Sequence, residues 1–125
     1  MDFLLAVGGG SVIDGTKLIA AGLLYDGDPW DIVLKGQADK TVPLGTVLTM
    51  SATGSEMNSG SVISRQETKE KYAFYGDYPV FSILDPGTLY SLPKRQVACG
   101  LADTFVHVLE QYMTTPHQSR LMDRW

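Results

Sequence analysis

The sequence predicts an α/β fold with a largely parallel sheet and an added hairpin, from three observations. Apolar runs at 3–7, 42–50 and 80–85 read as buried strands, the first of them on both faces. Helical patterns and long connections separate these runs, as parallel pairing requires. A glycine-rich turn joins the first run to the first helical pattern.

That turn is Ala6-Val7-Gly8-Gly9-Gly10-Ser11-Val12-Ile13-Asp14. Beyond it, Val12, Ile13, Leu18, Ile19, Ala20 and Ala21 lie on and around one helical face. Ser11 is a good N-cap, with Asp14 three residues on as a variant capping box. A helix opening from a glycine loop presents free N–H groups and a partial positive charge, which suit phosphate. The loop matches neither common phosphate motif. Ile13 stands where a third Rossmann glycine or alanine belongs, and Thr16 precedes Lys17, the reverse of a Walker A. A plain strand-to-helix turn and a pyrophosphate cradle are both compatible with these residues alone.

Asp28-Pro29 closes a turn before a short helix at 30–34, and the polar residues 35–40, with Gly36, read as a surface loop. The second strand, at 42–50, runs into Ser51-Ala52-Thr53-Gly54-Ser55-Glu56-Met57-Asn58-Ser59-Gly60. Loops at the carboxyl ends of strands line the ligand crevice of open α/β sheets. There the hydroxyls of Thr49, Ser51, Thr53 and Ser55 can donate and accept, or simply make local caps and turns. Residues 60–65 and 71–75 form two arms of a hairpin, with Lys71 alternating among apolar neighbours. The strand at 80–85 ends at Pro86-Gly87.

From Leu92 the pattern is helical, with Pro93 suited to the first position. Val97, Leu101, Phe105, Val108 and Leu109 supply its apolar face, while Asp103, His107 and Glu110 project together from a neighbouring one. Asp103 and His107, four apart, can share a metal ion, or can be an exposed helical pair. His117 follows Pro116 in a loop and receives no role.

Composition excludes several classes. Fourteen acidic against ten basic residues leave a net charge of −4, which argues against nucleic acid as the main partner. No apolar run approaches the roughly 18 residues of a membrane span. No signal peptide is read, and Cys99, the single cysteine, allows no intrachain disulfide and fits a reducing cytosol, so a cytoplasmic location is expected. The chain opens almost directly in a core strand and closes at Leu121-Met122-Asp123-Arg124-Trp125 without a helix stop, so both ends look cut.

Taken together and in order, Gly8-Gly9-Gly10-Ser11-Val12-Ile13-Asp14, Thr53-Gly54-Ser55-Glu56-Met57-Asn58, Leu84-Asp85-Pro86 and the Asp103/His107 helix resemble the iron-containing (group III) alcohol dehydrogenases. Asp28-Pro29-Trp30 and the stretch from Asp103 to Tyr112 resemble the NADPH-dependent butanol dehydrogenase or aldehyde reductase branch. The resemblance covers nearly the whole chain. It implies a partial Rossmann-like dinucleotide-binding domain over 1–92. The first helices of an all-α metal-binding domain follow over 93–125, as in the dehydroquinate synthase-like, iron alcohol dehydrogenase fold.

It also implies roles. Gly9, Gly10 and Ser11 hold the pyrophosphate of NADP or NAD, and Asp14 helps order that loop and the nicotinamide side. Thr49, Ser51, Thr53 and Ser55 line the path to the nicotinamide, Lys71 reaches the cofactor ribose, and Thr88 lies beside the cofactor. Asp103 and His107 are two ligands of Fe(2+) or Zn(2+). The family holds its metal with one Asp and three His, and the later pair of histidines does not occur in this chain. The resemblance therefore implies a central piece of a longer, homodimeric enzyme interconverting small primary alcohols and aldehydes, with the isolated piece inactive. Enzymes of the glycerol dehydrogenase or dehydroquinate synthase type and an inactive nucleotide-binding remnant are the alternatives.

Overall fold

A computed structural model describes residues 1–114; His117 and the terminal stretch 115–125 lie outside the described residues. Strand β1 (Leu4–Gly9) passes without a loop into helix α1 (Gly10–Gly22). Helix α2 (Pro29–Lys35), strand β2 (Leu44–Met50), strands β3 (Gly60–Arg65) and β4 (Glu70–Tyr75), strand β5 (Phe81–Ile83) and helix α3 (Lys94–Thr114) follow. Single 3-10 turns cover Ser55–Met57 and Pro86–Leu89.

β2 is the central strand of a parallel sheet of order β1-β2-β5, pairing Leu4 with Leu44 on one side and Gly45 with Phe81 on the other. The hairpin β3–β4 does not extend this sheet. It forms its own antiparallel pair, Gly60 opposite Tyr75 and Arg65 opposite Glu70. Phe74, fully buried, joins it to a core of Ala21, Trp30, Ile32, Val33 and Ala38 between α1 and α2. A second cluster, Ala6, Ile13 and Leu48, seals α1 onto the parallel sheet.

Local chemistry explains α2. The Asp28 carboxylate accepts from the Trp30 N–H at 2.9 Å, Pro29 occupies the first turn, and Gly36 closes the helix at φ +77°. Residues 36–38, expected as surface loop, are instead stitched to the hairpin. The Ala38 N–H donates to the Tyr75 carbonyl at 2.8 Å, the Tyr75 N–H donates to Gly36 at 3.0 Å, and Ala38 is buried.

Three apolar segments pack less than their sequences predict. Strand alternation turns Ala6 and Gly8 toward α1 but sends Leu5 and Val7 to the opposite face, where they are exposed along with Phe81 and Ile83. Phe3 and Phe81 stack there, ring centroids 5.9 Å apart. The strands at 3–7 and 80–85 are thus not buried on both faces, because no described element covers that side. On α1 the packed face is Ile13, Lys17, Ala20 and Ala21, while Val12 and Ile19 are exposed. On α3 the expected apolar face from Val97 to Leu109 is exposed, and Gly100 is the buried residue among those described.

α3 begins just after Pro93, whose carbonyl accepts from the N–H groups of Gln96 and Val97 at 2.8 and 3.2 Å. No helix among the described residues is long and apolar enough to cross a membrane.

Candidate functional site

The site starts where β1 becomes α1. Gly9 is the N-cap, in extended backbone and with no side-chain cap, and the first turn holds no acidic residue. Ser11 therefore lies inside the first turn, and the expected Ser11–Asp14 capping box does not form. Asp14 is engaged elsewhere: its carboxylate accepts from Ser55 Oγ at 2.6 Å and from the Val62 N–H at 3.0 Å. Among the described residues no side chain caps the opening N–H groups of α1, which keep their partial positive charge. Two glycines make the approach possible. A Cβ at Gly8 would lie 2.6 Å from Val12 Cβ, and one at Gly10 would collide with the Thr53 side chain, 2.8 Å from its Cγ2.

Lys17 is the organising residue that sequence reasoning missed. It is buried, and its Nζ donates to the carbonyls of Ser55, Asn58 and Gly60 at 2.7, 2.8 and 2.7 Å. Burial pushes its pKa below the ordinary lysine value, against the opposing pull of the Asp14 and Glu56 carboxylates. One signal was available in the sequence. The packed positions 13, 17, 20 and 21 keep helical spacing, so Lys17 stands in the middle of the core-facing stripe.

These elements wall an open cleft of about 710 Å³ between the start of α1, the loop at 53–61, one face of the hairpin and α3. Ser11, Asp14, Thr53, Ser55 and Lys71 border it, and so do Asp103 and His107 from the far side. The cleft thus joins the glycine turn, the hydroxyl loop, the hairpin lysine and the helical Asp–His pair. His107 Nε2 lies 3.6 Å from Asp103 Oδ2, with both side chains about half exposed. Glu110 does not border the cleft, and among the described residues no group of three or more His, Cys, Asp or Glu is placed to hold a metal.

Of the other sequence candidates, Gly9, Gly10, Thr49, Ser51 and Thr88 do not border the cleft. Gly9 and Gly10 precede Ser11 at the start of α1. Thr49 is at the end of β2, and Ser51 borders a separate hollow of about 150 Å³ with Glu56 and Asp85. Thr88 Oγ1 lies 2.8 Å from the carbonyls of both Leu48 and Asp85, tying the turn at Pro86–Leu89 to β2. Ser55 borders the cleft but is buried, and its hydroxyl is committed to Asp14 and Lys17.

A family model described as iron-containing alcohol dehydrogenase matches residues 1–86. The chain is 56% identical over 130 residues to a probable NADH-dependent butanol dehydrogenase of Bacillus subtilis, covering 98% of this chain and 34% of that protein. It is 53% identical over 129 residues to the NADPH-dependent aldehyde reductase YqhD of Escherichia coli, covering 98% and 33%. The crystal structure of E. coli K-12 YqhD superimposes with a TM-score of 0.93 at 52% identity, over 99% of this chain and 33% of that one. The chain spans about a third of the length of the curated relatives it matches.

Proposed function

Because the chain belongs to the iron-containing alcohol dehydrogenase family, we propose that it forms the nucleotide-facing wall, and supplies two metal ligands, of a site that interconverts primary alcohols and aldehydes with NADP or NAD. The observation that carries this is the single cleft on which Ser11, Thr53 and Lys71 face Asp103 and His107. Residues 1–92 serve as the nucleotide unit and 93–125 begin the metal unit. The relatives' names support the chemistry: one is a butanol dehydrogenase using NADH, another an aldehyde reductase using NADPH.

The residues present fit both groups. The uncapped start of α1 and the Ser11 hydroxyl suit a pyrophosphate, held through backbone N–H groups at Gly10 and Ser11. Thr53 Oγ1 already accepts from the Ser55 N–H at 3.3 Å, which leaves its proton to donate into the cleft. Lys71 offers an ammonium to ribose or phosphate oxygens. Asp14 borders the same cleft and holds the hydroxyl loop and hairpin against α1. Asp103 and His107 offer one oxygen and one nitrogen, a donor set suited to iron(II). A metal held there supplies Lewis acidity toward the alcohol or carbonyl oxygen. Cys99, unpaired and exposed, suits a reducing cytosol.

Two ligands fall short of the three that catalytic metal sites of this kind use. The 125-residue chain is therefore expected to bind NADPH or NADH weakly, to purify without stoichiometric metal and not to oxidise NADPH with butanal. Fluorescence titration, metal analysis and a butanal assay check this. Stoichiometric metal with turnover, or no nucleotide binding at all, would overturn it.

A further inference from the structure

We propose that residues 54–60 form a cation-organised loop whose cation is the chain's own Lys17 ammonium, which makes Lys17 a positioning residue for the nucleotide-facing wall. The loop's geometry stands by itself; the consequence for nucleotide rests on the reading above.

Three backbone carbonyls, of Ser55, Asn58 and Gly60, converge on one nitrogen at 2.7, 2.8 and 2.7 Å. An ammonium has three N–H donors, one for each carbonyl. Ser55 Oγ at 3.0 Å and Asn58 Oδ1 at 3.3 Å are longer contacts, and each oxygen has other work. The Ser55 hydroxyl donates to Asp14, and Asn58 Oδ1 accepts from the Gly60 N–H at 3.0 Å. The Asn58 amide also donates to the Gly54 carbonyl at 3.0 Å, so one side chain clamps both ends of the loop. Gly54 supplies the left-handed φ of +68° that lets the chain turn around the nitrogen.

Loops that present convergent carbonyls commonly enclose a metal ion, as calcium sites do at about 2.3–2.6 Å. The separations here are those of N–H···O hydrogen bonds. Without Lys17, three carbonyls aimed at one point would be left without donors and would repel each other. The loop's mouth is Thr53, pressed against Gly10, and Asp14 links Ser55 to Val62 of β3. A shift of the loop therefore moves both Thr53 and the hairpin that carries Lys71.

The test uses the 125-residue chain with Lys17→Met and Lys17→Ala, read by amide hydrogen exchange and NADPH titration. Both variants are expected to lose protection across 54–62 while α2 keeps it, and to lose NADPH affinity about 10- to 100-fold, the range for hydrogen bonds to a charged group. Propylammonium is expected to restore both properties to Lys17→Ala, and tetramethylammonium, which has no N–H, to restore neither. Protection or affinity unchanged in Lys17→Met, or no restoration by propylammonium, overturns the proposal. If the variants do not fold, the unsubstituted chain decides by NMR. A slowly exchanging Lys17 NζH₃ signal with cross-peaks to Ser55 and Gly60 is expected, and its absence overturns the proposal. No NADPH binding by the unsubstituted chain would sink the nucleotide reading, and the exchange data would still judge the loop.

Discussion

The corner where α1 meets residues 51–61 and the hairpin shares a cleft with the helix that carries Asp103 and His107, yet the two are built differently. The first is held by buried polar atoms with partners: Lys17 on three carbonyls, and Asp14 on Ser55 and Val62. It stands on a core in which Phe74, Ile13 and Val33 are fully enclosed. The second, α3, touches the rest through Gly100, where a Cβ would lie 2.5 Å from the Ser51 carbonyl, while its apolar side chains stay exposed. The geometry of the proposed nucleotide wall is thus fixed by contacts inside this chain. The position of the Asp–His pair has far less holding it among the described residues.

Removing the largest fully buried side chain from the first region is the strongest way to break the comparison. Phe74→Ala is expected to cost about 3–5 kcal/mol, since Phe74 is completely buried and joins the hairpin to α1 and α2. Urea unfolding measures it. A loss under 1 kcal/mol would show that the hairpin is not welded to the core.

Asp14→Asn sharpens the comparison at smaller amplitude. The carboxylate accepts two hydrogen bonds from groups on two other elements, and an amide can replace only one acceptor oxygen. Hydrogen bonds to charged groups contribute about 1.5–3 kcal/mol each, and Asp14 is only partly buried, so a loss of roughly 1–2 kcal/mol is expected. Hydrogen exchange should place the loosening at Ser55 and Val62. A change confined to the N-terminal turn of α1 would restore the capping role that the sequence suggests.

What the sequence discloses differs between the regions for physical reasons. Helix α2 is legible because Asp28, Pro29 and Gly36 act within one turn of their own positions. The hairpin is legible because its arms sit either side of a short polar turn, and the three parallel strands because apolar runs mark them. Lys17 is not, since its three carbonyl partners lie 38 to 43 residues away. The helix start was misplaced because β1 runs straight into α1, carrying Ser11 past the cap and leaving Gly9 there. Leu5, Val7 and the α3 stripe are exposed against expectation because an apolar run does not say which element covers it. Motifs far apart in the sequence come together on one cleft, while Ser51 and Thr88 show that a hydroxyl near a strand end can face a neighbouring backbone or another hollow.

The smallest expected effect is also the most discriminating. Phe105 stands two residues from both Asp103 and His107 on α3 and is 66% exposed, whereas Phe74 is fully buried. Surface substitutions away from special features stay within about 0.5 kcal/mol. Phe105→Ala should therefore leave the unfolding midpoint of this chain nearly unchanged, although the same change at Phe74 is expected to cost about 3–5 kcal/mol. If Phe105→Ala costs 2 kcal/mol or more, a value typical of burial, the ring is packed against something the described residues do not include. The Asp–His pair would then be as firmly placed as the nucleotide wall, and the contrast between the two regions would fail at its weaker side.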